Sequence, residues 1–163
     1  MTFSAPWSKR LGYSTLIFIL ILFGASMLGR DAVHYRGFLA AFMITGVPLL
    51  VAGGSSFFMI RGYVITENAL FVQRFLWHTR IDLSGLRAFE PDPIAMSGSL
   101  RTFGNGGLFC TAGYFHNEKL GSYRAFATDP RLAVVLHFTD KVIVVTPDNP
   151  EQFVAALKEI VAA

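Results

Sequence analysis

Two long apolar runs without a charged residue limit what this chain can fold into more than any other feature. They cover residues 11–29 and 37–60, and the short segment 30–36 between them is charged. At about 1.5 Å per helical residue, the runs reach roughly 28 and 36 Å, enough to cross a hydrocarbon core of about 30 Å. The pattern predicts a transmembrane helical hairpin: an N-terminal flank 1–10, a first span 11–29, a turn 30–36 and a second span 37–60.

Two other interpretations of these runs stay open at the level of sequence. The first run resembles a cleaved signal peptide, because Lys9 and Arg10 precede it and the small residues Gly24, Ala25 and Ser26 follow. A buried soluble helical hairpin is the other interpretation. The first run is long for a signal peptide, and a second charge-free run follows at once, which favours the transmembrane hairpin.

The charges divide unevenly between the two parts of the chain. Charged residues make up 15% of the chain, against about 25% in typical soluble domains. Residues 61–163 contain ten basic and ten acidic residues, so the net charge of +3 comes from the apolar part. The remainder lacks the basic excess of a nucleic-acid-binding surface, and its zero sum argues against strong attraction to anionic lipid.

The basic residues that flank the runs predict an orientation. Arg30 and Arg36 lie in the expected turn, whereas more basic residues lie outside the runs: Lys9, Arg10, Arg61, Arg74 and Arg80. Because basic residues are enriched on the cytoplasmic side, both termini are expected in the cytoplasm. The single cysteine, Cys110, agrees with a reducing compartment.

After residue 60 the pattern changes to short alternating segments bounded by turn residues. Seven of them are predicted as strands: GYVIT, ALFVQRFL, HTRIDL, GLRAFE, SYRAFAT, LAVVLHF and VIVVT. A helix follows, with Asn149 as N-cap, Pro150 at the first position, and an apolar face of Phe153, Leu157, Ile160 and Val161. The class is therefore α+β, with a helix that covers a sheet.

Several of these segments together resemble one protein family. They are GYVITENALFVQRFLWHTRIDLSGLRAFE, RTFGNGGLFCTAGYF, GSYRAFATD and VIVVTPDNPEQFVAAL. In this order they resemble bacterial membrane-anchored PH (pleckstrin-homology-like) domain proteins, over roughly residues 58–160. The resemblance implies that 61–163 is a PH-like split antiparallel β-barrel of about seven strands, capped by the C-terminal helix.

The same resemblance implies a function. PH-like folds bind proteins, peptides or lipids and are seldom enzymes, so we expect a non-catalytic binding or scaffold domain. Its partner would be a membrane protein or peptide at the cytoplasmic face of a bacterial inner membrane. The alternatives are an anionic-lipid-binding module and an accessory subunit of a membrane transport complex. The oligomeric state stays open.

The glycine-rich segment 104–107 raises the question of a phosphate-binding loop. It lacks the Lys-Ser/Thr that a P-loop requires, so we interpret Gly104, Gly106 and Gly107 as positive-φ turn positions. Cys110 lacks the sequence signature of a catalytic cysteine and is interpreted as a packed hydrophobe.

The sequence predicts binding residues but no reaction centre. It contains no His-x-x-x-His or Cys-x-x-Cys pair, and we predict no catalytic residue, metal or cofactor. The residues expected to contact a partner or ligand are Arg74, Arg80, Arg101 and Asn105. No nucleic-acid partner is expected.

Overall fold

The computed structural model describes residues 1–161, without the side chains of residues 28–36 and 41. The side chains of Arg30 and Arg36, which entered the charge argument, lie outside this description. The helices are α1 Lys9–Ala41, α2 Val47–Ser56 and α3 Pro150–Val161. The strands are β1 Thr2–Ser4, β2 Ile60–Ile65, β3 Ala69–Arg74, β4 His78–Asp82, β5 Leu86–Pro91, β6 Leu100–Leu108, β7 Cys110–Asn117, β8 Gly121–Ala127, β9 Val134–Phe138 and β10 Val142–Val145.

The apolar runs form two helical segments. Lys9–Met27 and Gly37–Ser56 are each long and apolar enough to cross a bilayer. Only 17% of the apolar stretch of the first segment is buried against the rest of the chain, and none of the apolar stretch of the second segment is buried. A core helix of a soluble protein would be mostly buried, so this exposure disfavours a buried soluble hairpin.

The break between the two segments lies at Gly37. Residues 30–36, where a turn was expected, have helical backbone, whereas Gly37 has φ 80° and ψ 170°. Glycine adopts this conformation without the steric cost of a Cβ atom. A π-helical turn, Phe42–Gly46, then precedes Pro48 near the start of α2. Because proline cannot donate the regular helical hydrogen bond, a widened turn before it is physically reasonable.

The N-terminal residues belong to the β-sheet rather than to a simple flank. In β1, Phe3 lies opposite Tyr63 and Ser4 opposite Gly62, in antiparallel register with β2. The ladder extends to Ala5, whose amide donates to the Arg61 carbonyl at 3.2 Å. The helical hairpin is therefore an insertion between two neighbouring strands of one sheet.

The strands form two sheets, and the described part of the chain does not form the split antiparallel barrel that was expected, because no closed barrel is seen. The first sheet has the order β1-β2-β3-β4, and the second has the order β5-β9-β10-β8-β7-β6. β10 pairs with β8 in parallel, so the second sheet is mixed. Three of the ten strands, β1, β6 and β7, lie outside the seven predicted segments.

The glycine-rich segment is part of a strand and does not form the expected turn. It lies in β6, which pairs with β7, and the chain reverses at Phe109, where φ is 62°. Gly104 has φ 110°, and a Cβ atom there would meet the Ala112 carbonyl oxygen at 2.5 Å. Gly113 approaches the backbone of β6 in the same way. These two glycines permit close contact between β6 and β7.

The main core lies between the two sheets and is covered by α3. The Asn149 side chain accepts from the Gln152 amide at 3.1 Å, which confirms the predicted cap. Phe153 and Leu157 are fully buried, whereas Val161, assigned to the same face, is 51% exposed. A second cluster covers the opposite face of the second sheet, beneath the segment 92–97.

Tyr63 joins the two sheets through a buried polar network. Its hydroxyl donates to the Phe126 carbonyl at 2.6 Å and accepts from the Thr146 amide at 3.1 Å. Thr146 also accepts from the Thr128 amide at 2.9 Å. Burial raises the pKa of Tyr63 to about 12. The neutral hydroxyl is therefore the form that the fold stabilises.

Phe3→Ala tests whether β1 is integral to the fold. The Phe3 side chain is buried and packs edge-on against Phe153, with ring centroids 5.1 Å apart. We expect Phe3→Ala to lower the free energy of unfolding by about 3 kcal/mol, which lowers the thermal midpoint by roughly 10 °C or more. The control is Ser4→Ala, an exposed position in the same strand. Equal midpoints for both variants would contradict the observed place of β1.

Tyr63→Phe tests the buried hydroxyl through pH. An unfolded tyrosine ionises near pH 10, and folded Tyr63 near pH 12. Between these values the unfolded state holds fewer protons, so the free energy of unfolding falls as pH rises. The neutral Tyr63 hydroxyl contributes about 2 to 3 kcal/mol to the free energy of unfolding. This contribution is complete below pH ~10 and is lost by pH ~12. We expect the stability difference between wild type and Tyr63→Phe to shrink across this range; a constant difference would contradict the shift.

Candidate functional site

A groove of about 570 Å³ lies where α2 meets the second sheet. One wall is a single face of the α2 region, with Val51, Gly54, Ser55 and Phe58 at spacing i, i+3, i+4 and i+7. The remaining lining comes from β3 and from the adjacent strands β6, β7 and β8: Arg74, Arg101, Phe103, Gly104, Asn105, Ala112, Gly113, Tyr114, Arg124 and Phe126. The groove therefore joins an apolar helix to a sheet surface that carries Arg74 and Arg124, with Arg101 at its margin.

Arg74 is fixed at the junction of the helical hairpin and the sheet. Its Nη1 donates to the Phe58 carbonyl oxygen at 2.7 Å, and its Nε donates to Thr79 Oγ1 at 3.2 Å. The guanidinium carbon lies 5.8 Å from the Phe58 ring centroid and 5.9 Å from that of Trp77. Arg74 thus ties the end of α2 to β3 and β4.

Arg124 flanks the same aromatic ring as Arg74. Its guanidinium carbon lies 4.7 Å from the Phe126 ring centroid, and that of Arg74 lies 5.5 Å from it. Arg124 also stacks on Tyr114, at 5.5 Å, which is its cross-strand partner in β7. These ring contacts orient an otherwise exposed arginine along the groove.

The Arg101 side chain packs over Gly106, a glycine of the same strand. A Cβ atom at Gly106 would meet Arg101 Nη1 at 3.0 Å and Arg101 Cδ at 3.1 Å. The missing side chain at Gly106 therefore gives the guanidinium its place against β6. Gly106 thus helps to position Arg101, and the sequence did not indicate this role.

The three arginines have no acidic partner among the side chains that the structure describes. The ion pairs found there are Lys119–Asp92, Arg131–Asp129 and Lys141–Asp140. No hydrogen bond from the Arg101 or Arg124 guanidinium is found in this part of the molecule either. Burial is the largest cause that lowers the pKa of Arg74, and the positive charge of Arg124 lowers it further. The groove thus holds mutually repelling cations that an anion would stabilise.

The four predicted contact residues fall in two places. Arg74, Arg101 and Asn105 line the groove, whereas Arg80 lies on β4, the edge of the first sheet. The Asn105 amide bonds within its own chain segment: it donates to the Leu108 carbonyl and accepts from the Leu108 amide. Arg124 was missed, although its place between buried Tyr123 and Ala125 indicates the opposite face of the strand.

Exposed aromatic and aliphatic side chains surround the groove and the bases of the two helices. Phe75 and Leu76, in the β3–β4 turn, are 52% and 65% exposed, and Phe103 in β6 is 75% exposed. The Phe75 ring contacts Phe57 at the end of α2, with centroids 6.4 Å apart. At the base of α1, Trp7 contacts Phe109. This apolar rim lies beside the helices that are long enough to cross a bilayer.

A separate cavity of about 590 Å³ lies at the start of α1. Its Arg131 donates two hydrogen bonds to Asp129, at 3.0 and 2.6 Å, whereas Lys9 and Arg10 in the same lining have no ion pair among the described side chains. The Ser8 side chain caps α1 by accepting from the Leu11 amide at 3.1 Å. In this cavity Ser8 therefore fixes the start of α1.

Cys110, interpreted from the sequence as a packed hydrophobe, lies in surroundings that do not activate its thiol. The side chain is fully buried, and Sγ donates to the Phe58 carbonyl at 3.3 Å. Burial raises the pKa of the thiol to about 11, which disfavours the reactive thiolate. No cluster of three or more His, Cys, Asp or Glu side chains suitable for a metal occurs in the described residues.

The raised pKa of Cys110 predicts slow modification. At pH 8 we expect the folded chain to react with a thiol reagent at least ~100-fold more slowly than the chain unfolded in SDS. The reaction is followed by absorbance of the released chromophore, with the unfolded chain as control for total thiol. Rapid reaction of the folded chain would mean that Cys110 is accessible and ionised. It would contradict the interpretation of Cys110 as an unreactive residue.

Comparison with known proteins gives a family for the part that carries the groove. The model of the family described as Bacterial PH domain matches residues 61–161. Searches of curated proteins and of solved structures found no match to the chain. The family match covers β2 to α3 and therefore every sheet-derived residue of the groove. Since it spans more than half of the sequence, the chain belongs to the bacterial PH domain family.

Proposed function

We propose that this protein is a membrane-anchored, non-catalytic PH-like domain that binds a protein or peptide partner at the cytoplasmic face of a bacterial inner membrane. One observation carries the proposal: both ends of the apolar helical hairpin are built into the folded domain. β1 pairs with β2 before α1 begins, and Phe58, just after α2, bonds to Arg74. A hairpin that enters a bilayer would therefore hold the domain against it in a defined orientation.

The membrane part of the proposal rests on three features. The two helical segments are apolar and largely unburied. An aromatic rim lies at their bases, where amphipathic rings favour the headgroup region. Basic residues outside the two apolar runs outnumber those in the segment between the runs, which favours a cytoplasmic domain.

The binding part rests on an open sheet edge. β4 is the last strand of the first sheet, and it carries exposed His78, Arg80 and Asp82. An extended peptide can add to such an edge through backbone hydrogen bonds, with side chains supplying specificity. Attachment to the bilayer raises the effective concentration of this edge toward other membrane proteins, so a weak contact is sufficient.

The test uses the full chain in intact cells, with a photo-crosslinking amino acid at position 80. We expect the chain to resist alkaline extraction from membranes and to form a discrete adduct with one membrane protein. The matched control carries the same amino acid at Glu151, an exposed position at the start of α3, and should form none. Membrane protein adducts identify the partner class directly.

Two results would contradict the proposal. Extraction of the chain by alkali would show that it is not integral to the membrane. Equal adducts at positions 80 and 151 would show random collision rather than binding at the β4 edge.

A further inference from the structure

We propose that the groove between α2 and the second sheet receives the transmembrane helix of a partner protein. An acidic residue at the cytoplasmic end of that helix would pair with Arg124 and Arg74, and Val51 and Gly54 of α2 would pack against the helix. This inference rests on the membrane attachment proposed above. It adds a second contact surface, at the level of the bilayer, and states what the partner must carry there.

The helical wall of the groove is free to contact another helix. Val51 and Gly54 line the groove and are exposed, and a Cβ atom at Gly54 would meet no other atom within 4 Å. In the described residues α1 scarcely contacts α2, so it does not cover this wall. The wall continues along Gly37–Ser56, a segment long and apolar enough to cross a bilayer. A protein segment that extends along this wall into the bilayer must be helical, because its backbone groups have no water to bind.

The floor of the groove offers apolar surface to the end of such a helix. Phe103 lies directly opposite Tyr114 in the ladder between β6 and β7, and both residues line the groove. They are 75% and 51% exposed. Contiguous exposed apolar surface of this kind is typical of an interaction site.

The charge of the groove determines what the partner helix must carry. The Arg74 and Arg124 guanidinium groups lie beside the same ring, that of Phe126. The groove lining contains no aspartate or glutamate, and neither arginine has an ion pair among the described side chains. Arg74 bonds to the Phe58 carbonyl, so the pair lies at the end of α2, where a membrane span ends. A carboxylate at the matching end of a partner helix would pair with these arginines more strongly than in bulk water, because the local dielectric is lower.

The charges of the chain itself argue against a second copy as the occupant. Lys9 and Arg10 lie at the start of α1, and Arg61 follows α2. The one acidic residue among residues 1–66, Asp31, lies in the segment between the two apolar runs, away from these helix ends. A helix from a second copy would therefore bring basic residues against Arg124, and like charges in contact disfavour binding. The groove thus favours a different protein.

The groove adjoins the β4 edge through one side chain. Arg74 donates from Nη1 to the Phe58 carbonyl oxygen at 2.7 Å, and from Nε to Thr79 Oγ1 in β4 at 3.2 Å. A partner helix that ends in the groove would therefore place the segment that follows it next to β4. One membrane protein can thus occupy both surfaces.

The experiment uses the full chain in intact cells, with a photo-crosslinking amino acid in place of Val51. The matched control carries the same amino acid in place of Leu50, an equally exposed neighbour on α2 outside the groove lining. We expect a membrane protein adduct at position 51 and little or none at position 50. Mass spectrometry of the digested adduct maps the linked segment. This segment should be the cytoplasmic end of a transmembrane helix that carries an aspartate or glutamate.

Charge exchange then tests the role of Arg124. Arg124→Glu should lower the yield of the adduct at position 51 about tenfold or more, because it places like charges together. Replacing the mapped acidic residue of the partner by lysine should restore the yield with Arg124→Glu, which a misfolded variant would not allow. Lys158→Glu reverses a charge at an exposed position of α3 outside the groove and should leave the yield unchanged.

The proposal fails if position 51 forms no protein adduct, or if its adduct is with phospholipid or with a second copy of the chain. It also fails if positions 50 and 51 give equal adducts, if the mapped segment is not a transmembrane helix with an acidic end, or if the charge of residue 124 has no effect. In each case the chain can still resist alkaline extraction and form its adduct through position 80. Failure of the groove contact is therefore distinguishable from failure of the proposed function.

Discussion

The pairing of β1 with β2 is the contact on which the rest of the structure depends. Because Phe3 lies opposite Tyr63, the chain leaves the sheet and returns to it at neighbouring positions. The inserted helices must therefore begin and end side by side on the domain. For a membrane-inserted chain, this geometry requires both ends of the hairpin to lie on the same side of the bilayer. A three-residue strand thus constrains the topology as well as the fold.

The junction at Phe58 shows how the helices and the groove share their contacts. The Phe58 carbonyl accepts from both Arg74 and Cys110, so the end of α2 is bonded to β3 and to the start of β7. The same bond holds Arg74 beside Phe126 and Arg124 in the groove. A change in the tilt of α2 would therefore move one wall of the groove relative to its floor. Sites built from strands and helices hold their geometry better than sites on loops.

Much of the fold could be predicted because its signals are local. The two apolar runs, the β2–β3 hairpin and the Asn149 cap each depend on adjacent residues, and each appears in the structure. β1 could not be predicted in this way, because Thr2–Ser4 is too short to show alternation and its partner lies about sixty residues away. Gly104, Gly106 and Gly107 were interpreted as positive-φ turn positions. Gly104 and Gly107 do have positive φ, but they lie in a strand, where the missing Cβ atom of Gly104 permits close contact with β7.

The site was harder to predict because it is an arrangement rather than a motif. Arg74, Arg101 and Arg124 are far apart in sequence, and the pairing of β6, β7 and β8 places Arg101 on the face of Phe115 and Arg124 on the opposite face, with Tyr114. Arg80 resembles them in sequence but lies on the edge strand β4, outside the groove. The sequence therefore indicated that arginines take part in the site, but it did not indicate which arginines lie together.

The zero net charge of residues 61–163 does not describe what a bilayer would encounter. Arg74 lies at the end of the first sheet next to the helices, whereas Glu67 and Asp82 lie at its opposite end. The six residues of β2 separate these ends by about 20 Å, at ~3.3 Å per residue, which is more than twice the Debye length of ~8 Å. Charges at the far end are screened from the membrane surface, so the nearby arginines determine the local field. The attraction of this domain to anionic lipid therefore depends on the positions of its charges rather than on their sum.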